Sequence, residues 1–176
     1  MMRLAIQEAR KAMAAGEVPV GCVFVDRRAG RVLVPQRVAA LRGGGRGVGV
    51  ADARCGCSEE YDRPCAPTRD SCLYVTLEPC IMCAGALQHL GVPEVVFGAP
   101  NTRFGGCGGV FAVHELRAPA AGRAAGGDAP REAHLRGFSC RSGVLADEAV
   151  ELLREFYASG NPNAPDEKRH RPLSGG

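Results

Sequence analysis

The chain has 176 residues, 45% of them hydrophobic, nine cysteines, no tryptophan and a formal net charge of +3. That suffices for one domain with a proper core, and no run approaches the roughly 20 apolar residues that span a bilayer, so no membrane partner is expected. The N-terminus lacks the charged region, apolar run and cleavage site of a secretory signal, which makes the cytosol or nucleus the expected compartment; an odd cysteine count there argues for metal binding or buried thiols over a disulfide framework.

Starting at the N-terminus, MRLAIQEARKAMAAG reads as an amphipathic helix. Met2, Ile6, Ala9 and Met13 recur at helical spacing, and Gly16 sits at its C-terminal end. VPVGCVFV (18–25) is apolar and β-branched and predicts a buried strand. DRRAG then turns, and RVLV (31–34) is its expected hairpin partner, stopped by Pro35. Residues 36–70 break the pattern. They carry GGG, several arginines and three cysteines (Cys55, Cys57 and Cys65) without periodicity, and make too long a structureless loop for a compact domain. A retained intron or a misassigned exon in a GC-rich gene would encode such a stretch.

Order resumes at CLYVTL (72–77), a strand. PCIMCAGALQHL (79–90) predicts a helix with Pro79 at its first position and Gly91 just past its end. EVVFGA (94–99) is another strand, followed by the Gly-rich NTRFGGCGG. Residues 117–137, rich in Ala, Gly and Pro, read as an exposed insertion. FSCRSGV (138–144) is a short edge strand. ADEAVELLREFYAS (146–159) is a helix with Asp147 and Glu148 in its first turn and Ala149, Leu152, Leu153 and Phe156 on one face. Strands alternating with helices imply an α/β domain over residues 1–160, followed by a polar, basic tail over 161–176.

Cys80 and Cys83 stand three apart in the first turns of the predicted helix, so their sulfurs can reach one point in space. The helix dipole at that end is expected to favour thiolate over thiol. Two thiolates so held are half of a tetrahedral zinc site. His89, near the other end of the helix, reads as a structural or surface residue, and Glu78 as a carboxylate that orients the turn before the helix.

GEVPVGCVFV, LYVTLEPCIMCAGAL and NTRFGGCGGV together resemble the zinc-dependent nucleoside deaminases, and among them the tRNA adenosine deaminases. REFYASGNPNAP is similar to the catalytic subunit of the eukaryotic heterodimer. The resemblance covers roughly residues 1–34, 72–113 and 138–165. It implies a three-layer α/β/α cytidine-deaminase-like fold around a mixed sheet, with Zn2+ as cofactor. It further implies metal ligation by Cys80, Cys83 and a His or Cys from an earlier helix, and a zinc-activated water attacking C6 of adenine. A glutamate two residues past that third ligand would carry protons. The implied substrate is the wobble adenosine of a tRNA, and the implied partner is a related non-catalytic subunit. Lys168, Arg169 and Arg171 would contact tRNA phosphates. The Arg103–Cys107 block would shape the pocket and the subunit interface, with Cys107 packed rather than ligating.

The chain departs from this pattern upstream of the cysteine block. Its histidines are His89, His114, His134 and His170, so the upstream H-x-E is missing. The asparagine-bearing loop expected after the first hairpin is also missing. Cys57-Ser58-Glu59 has the form C-x-E and offers Cys57 as third ligand and Glu59 as proton carrier, although Pro64 stops any helix begun there. Two other readings stay open. The chain is a non-catalytic subunit for assembly or tRNA binding, or a small module closing a tetrathiolate with Cys55, Cys57, Cys80 and Cys83. A cytidine or guanine deaminase is a further enzymatic alternative.

Overall fold

The computed structural model describes residues 1–37, 70–117 and 136–160, without the side chains of 34–37. Among the described residues, three helices, α1 (Met2–Ala14), α2 (Ile81–Leu90) and α3 (Ala146–Ala158), accompany five strands. The strands are β1 (Gly21–Asp26), β2 (Val32–Arg37), β3 (Ser71–Leu77), β4 (Glu94–Ala99) and β5 (Ser139–Arg141), and a 3-10 turn spans Val113–Glu115. They form one sheet in the order β2-β1-β3-β4-β5. β1 runs antiparallel to β2 and β3, whereas β3, β4 and β5 are mutually parallel, so the sheet is mixed.

Period-two alternation builds the three layers. Cys22 and Phe24 of β1, Leu73 and Val75 of β3, and Val95 and Phe97 of β4 share one face with Ala84 and Leu87 of α2. Val23, Val25, Cys72 and Val96 point the other way, onto Met2 and Ala5 of α1. Ile6, Ala9, Ala149 and Leu152 extend that second layer between α1 and α3. Burial on both faces explains why β1 and β4 read as continuous apolar runs.

The expected elements are recovered with four differences. β1 begins at Gly21, not at Val18; Pro19 has no N–H for a ladder, and Val20 instead donates to the Val18 carbonyl. β2 is not stopped by Pro35 but runs on to Arg37, with Pro35 in register with Val23. It is an edge strand, where a missing donor is tolerated. α2 starts at Ile81 with Cys80 as its N-cap, so Pro79 lies before the helix and not at its first position. The edge strand read over 138–144 is only Ser139–Arg141. The irregular stretch read over 36–70 and the insertion read over 117–137 fall almost wholly outside the described residues. At the end of α1, Gly16 takes φ +72°. Its N–H donates to the Met13 carbonyl while Glu17 N–H donates to Ala12, the paired bonds of a Schellman cap.

The β1–β2 turn carries a pH dependence. Asp26 Oδ1 accepts from the amides of Arg28 (2.8 Å) and Ala29 (3.0 Å). Those bonds hold its carboxyl below the usual value of 3.8. A carboxyl depressed in the native state contributes stability that is complete above the unfolded value and lost as pH falls through the native one. Melting temperatures followed from about pH 5 to about pH 2 are therefore expected to fall less steeply for Asp26→Ala than for the native chain.

Candidate metal and active site

The site is built where β3 ends and α2 begins. Ligands of open α/β sheets gather at the carboxyl ends of strands, and β3 delivers Glu78, Pro79 and Cys80 there in sequence. Cys80 is extended (φ −66°, ψ 167°), as an N-cap must be to let the chain enter the helix. Cys83 follows in the first turn. The orphan amide of Ile81 donates to the Phe104 carbonyl at 3.0 Å, and Gly106 N–H donates to the Pro79 carbonyl at 2.8 Å. Cys80 and Gly105 form an isolated antiparallel bridge. The Gly-rich loop after β4 is thereby seated on the start of α2.

The Cys83 thiol lies within hydrogen-bond reach of the Cys80 sulfur. Burial, and then the Cys80 sulfur beside it, hold the Cys83 thiol well above its ordinary value. For Cys83 in the absence of a metal, this runs against the expectation that the helix dipole would favour thiolate. Desolvation and a like-charged neighbour outweigh half a charge of dipole. Cys22, wholly buried in β1, is pushed up to about 12 by burial, with Cys83 as the next cause. Burial and the Cys80 sulfur beside it disfavour negative charge on Cys83 unless a cation lies between the two sulfurs. Their donor chemistry fits a zinc ion and supplies two of its four positions.

Glu78 is the other organiser. Its side chain is buried, and its two carboxylate oxygens accept three backbone amides: Asn101 at 2.8 Å, Cys107 at 2.9 Å and Gly109 at 2.9 Å. A Cβ on Gly105 or Gly109 would come within 2.5 Å of this carboxylate, so the loop closes around Glu78 only because both positions are glycine. The reading of Glu78 as the residue that orients this turn matches its contacts. His89 is exposed in the last turn of α2, in keeping with a surface role.

Of the candidate site residues, the structure brings Cys80 and Cys83 together. Cys57, Glu59 and Cys55, and the tail residues Lys168, Arg169 and Arg171, lie outside the described residues. One group escaped sequence reasoning. Cys107, His114 and Cys140 place their ligand atoms within 4.8 Å of one another. Cys107 is packed, as expected, yet it also faces two potential donors. Its only sequence signal was a His and a Cys, neither near a recognisable motif. A cavity of about 360 Å³ lined by Arg10, Met13, Glu148, Glu151, Leu152 and Glu155 opens between α1 and α3. It lies on the opposite side of the sheet from Cys80 and Cys83, and three acidic side chains suit no anionic substrate.

A mixed five-stranded sheet between two helical layers, with a P-C-x-x-C at the β3–α2 junction, defines a deaminase-type protein. The chain belongs to the cytidine and deoxycytidylate deaminase family, whose zinc-binding region matches residues 1–99. It is 39% identical over 171 residues to tRNA-specific adenosine deaminase 2 of Xenopus laevis, covering 95% of this chain and 90% of that one. It is 33% identical to tRNA-specific adenosine deaminase subunit tad2 of Schizosaccharomyces pombe, covering 98% of this chain and 40% of the relative. A solved structure from a study of A-to-I editing by tRNA:A34 deaminases superposes with a TM-score of 0.59 at 26% identity, covering 86% of this chain and 97% of the other.

Proposed function

We propose that this chain deaminates adenosine to inosine at the wobble position of tRNA. In this reading it is the zinc-bearing subunit of a heterodimer with a related, catalytically silent deaminase-fold chain. The observation that carries this is the Cys80–Cys83 pair, seated in contact at the start of α2, in a chain resembling tRNA-specific adenosine deaminases over 95% of its length. Zinc, when bound, supplies an activated water for attack on C6 of adenine. Cys80 and Cys83 would hold it, Cys57 would be the third ligand, and Glu59 would carry the proton to the leaving ammonia. Glu78 fixes the loop against the helix that presents the thiols. A tRNA substrate fits a cytoplasmic or nuclear location.

Two features support the partners. Ile81, Met82, Phe104, Val110 and Phe111 are exposed on the first turn of α2 and on the loop seated against it, an apolar surface suited to a second subunit. Lys168, Arg169 and Arg171 would contact tRNA phosphates. Replacing all three with alanine is expected to weaken tRNA binding without changing the choice of substrate. It should also lower the slope of log K against log salt by about 2–3.

A second reading rests on a specific observation. No histidine precedes Cys80, so the H-x-E of an active deaminase is missing and the chain would serve assembly or tRNA binding without turnover. The deciding experiment incubates the heterodimer with a tRNA bearing adenosine at the wobble position and measures inosine by mass spectrometry. Inosine that disappears in Glu59→Gln establishes the enzyme. Tight tRNA binding with no inosine establishes the silent subunit. An outcome of neither binding nor inosine overturns the catalytic and the tRNA-binding readings and leaves only assembly.

A further inference from the structure

Three elements bring Cys107, His114 and Cys140 together in a group that includes neither Cys80 nor Cys83. Cys107 comes from the loop after β4, His114 from the 3-10 turn and Cys140 from edge strand β5. All three ligand atoms lie within 4.8 Å of one another. The surrounding backbone is fixed. Cys107 N–H is held by Glu78, and its segment bridges Ala112. Phe138 N–H donates to the His114 carbonyl at 3.0 Å, and the Phe138 ring packs 5.9 Å from the imidazole. Both thiols are free, and the Cys107 thiol reaches Cys140 within hydrogen-bonding range.

An independent feature points to a ligand. His114 Nδ1 is fully buried and has no hydrogen-bond partner among the described residues. Its Nε2 lies 3.7 Å from the exposed Glu115 carboxylate. A buried imidazole nitrogen normally finds a donor or acceptor, and leaving one unmet costs about 1–3 kcal/mol. A metal ion would satisfy it. Zinc bonds of about 2.3 Å to sulfur and about 2.0 Å to nitrogen put tetrahedral ligand atoms about 3.3–3.8 Å apart, so the three donors need close by only about an ångström.

We propose that Cys107, His114 and Cys140 form a second zinc site that clamps edge strand β5 and the 3-10 turn onto the loop closing over α2. Two thiolates and an imidazole form a soft donor set that selects zinc over magnesium, calcium or manganese. Three protein donors leave one position for water. The clamp acts on shape, not on substrate. β5 is only three residues long and sits at the sheet edge, so the metal would replace the packing that a longer strand supplies. The inference is independent of the catalytic reading, since it uses none of the residues assigned to turnover.

The test is the zinc content of the full chain, measured by inductively coupled plasma mass spectrometry. The Cys80→Ser/Cys83→Ser protein should retain about one equivalent, and adding Cys140→Ser should remove it. A metal-free double variant, or zinc indifferent to Cys140→Ser, overturns the proposal. Should the double variant fail to fold, His114→Phe in the otherwise native chain provides the same test, because a phenyl ring suits the site beside Phe138. It should lower zinc by about one equivalent with the circular dichroism spectrum unchanged, and unchanged zinc content overturns the proposal. Cobalt loaded into the double variant should show a thiolate charge-transfer band that Cys140→Ser abolishes. A native Cys107–Cys140 disulfide found by peptide mapping overturns it too.

Discussion

Replacing Cys83 or Cys80 with serine is expected to release the zinc at the start of α2 and to lower inosine formation by more than about a hundredfold, since even groups one shell behind a metal typically cost about 10–100-fold. A serine hydroxyl is too weak an acid to replace a thiolate. It also removes the soft donor that suits zinc. The fold should survive. Cys80 is a cap whose backbone bonds do not involve sulfur, and Cys83 is only half-buried at the margin of the core. The measurement is zinc content beside inosine yield on a wobble-adenosine tRNA, with Cys57→Ser and Glu59→Gln in parallel. Loss of zinc in Cys57→Ser identifies the third ligand. Retained zinc with lost inosine in Glu59→Gln identifies the proton carrier. Native activity and full zinc content in Cys80→Ser would sink the proposed site.

How far this was legible in the sequence depended on whether each element is governed by local or distant forces. β4 was recovered at its full length, because a fully buried parallel strand is a continuous apolar run bounded by turn residues. α3 was recovered to within a residue because Ala149, Leu152 and Phe156 mark a helical face that the core then buries. The start of α2 was misplaced by two residues. Pro79 suits a first helical position, but the Cys80–Gly105 bridge holds the preceding turn extended, a long-range contact that no local pattern encodes. β2 outran Pro35 because an edge strand tolerates a missing donor, and edge status follows from topology. At the site, the thiol pair was visible because helical spacing is local. The state of Cys83 was misjudged because burial is a property of the fold. The Cys107–His114–Cys140 group was invisible for the same reason: its members span more than thirty residues and meet only when β5 pairs with β4.

Glu78 supplies the second large effect, and its variants separate positioning from chemistry. Each of its three amide bonds is to a buried charged acceptor, a class that contributes about 1.5–3 kcal/mol per bond. Glu78→Ala leaves three donors without their acceptor beside a small cavity. The bonds from Asn101 and Gly109 are only part-buried, so water meets their freed amides in part. The expected net destabilisation is about 3–5 kcal/mol, below the sum of the three bonds, at about 2–4 °C of melting temperature per kcal/mol for this size. Glu78→Gln should fall between. Oε1 takes both Cys107 and Gly109, so a glutamine oxygen in that place keeps two bonds. The amide nitrogen then opposes Asn101 N–H and loses the third. Thermal melts should therefore rank native, glutamine, alanine. Activity read at a temperature where all remain folded carries the mechanistic content. The missing H-x-E makes this buried carboxylate the obvious substitute proton carrier, yet its oxygens are already committed to three donors, so Glu78→Gln should retain turnover at that temperature. Turnover abolished in a folded, zinc-loaded Glu78→Gln protein would transfer the proton to Glu78 and displace Glu59 from the mechanism.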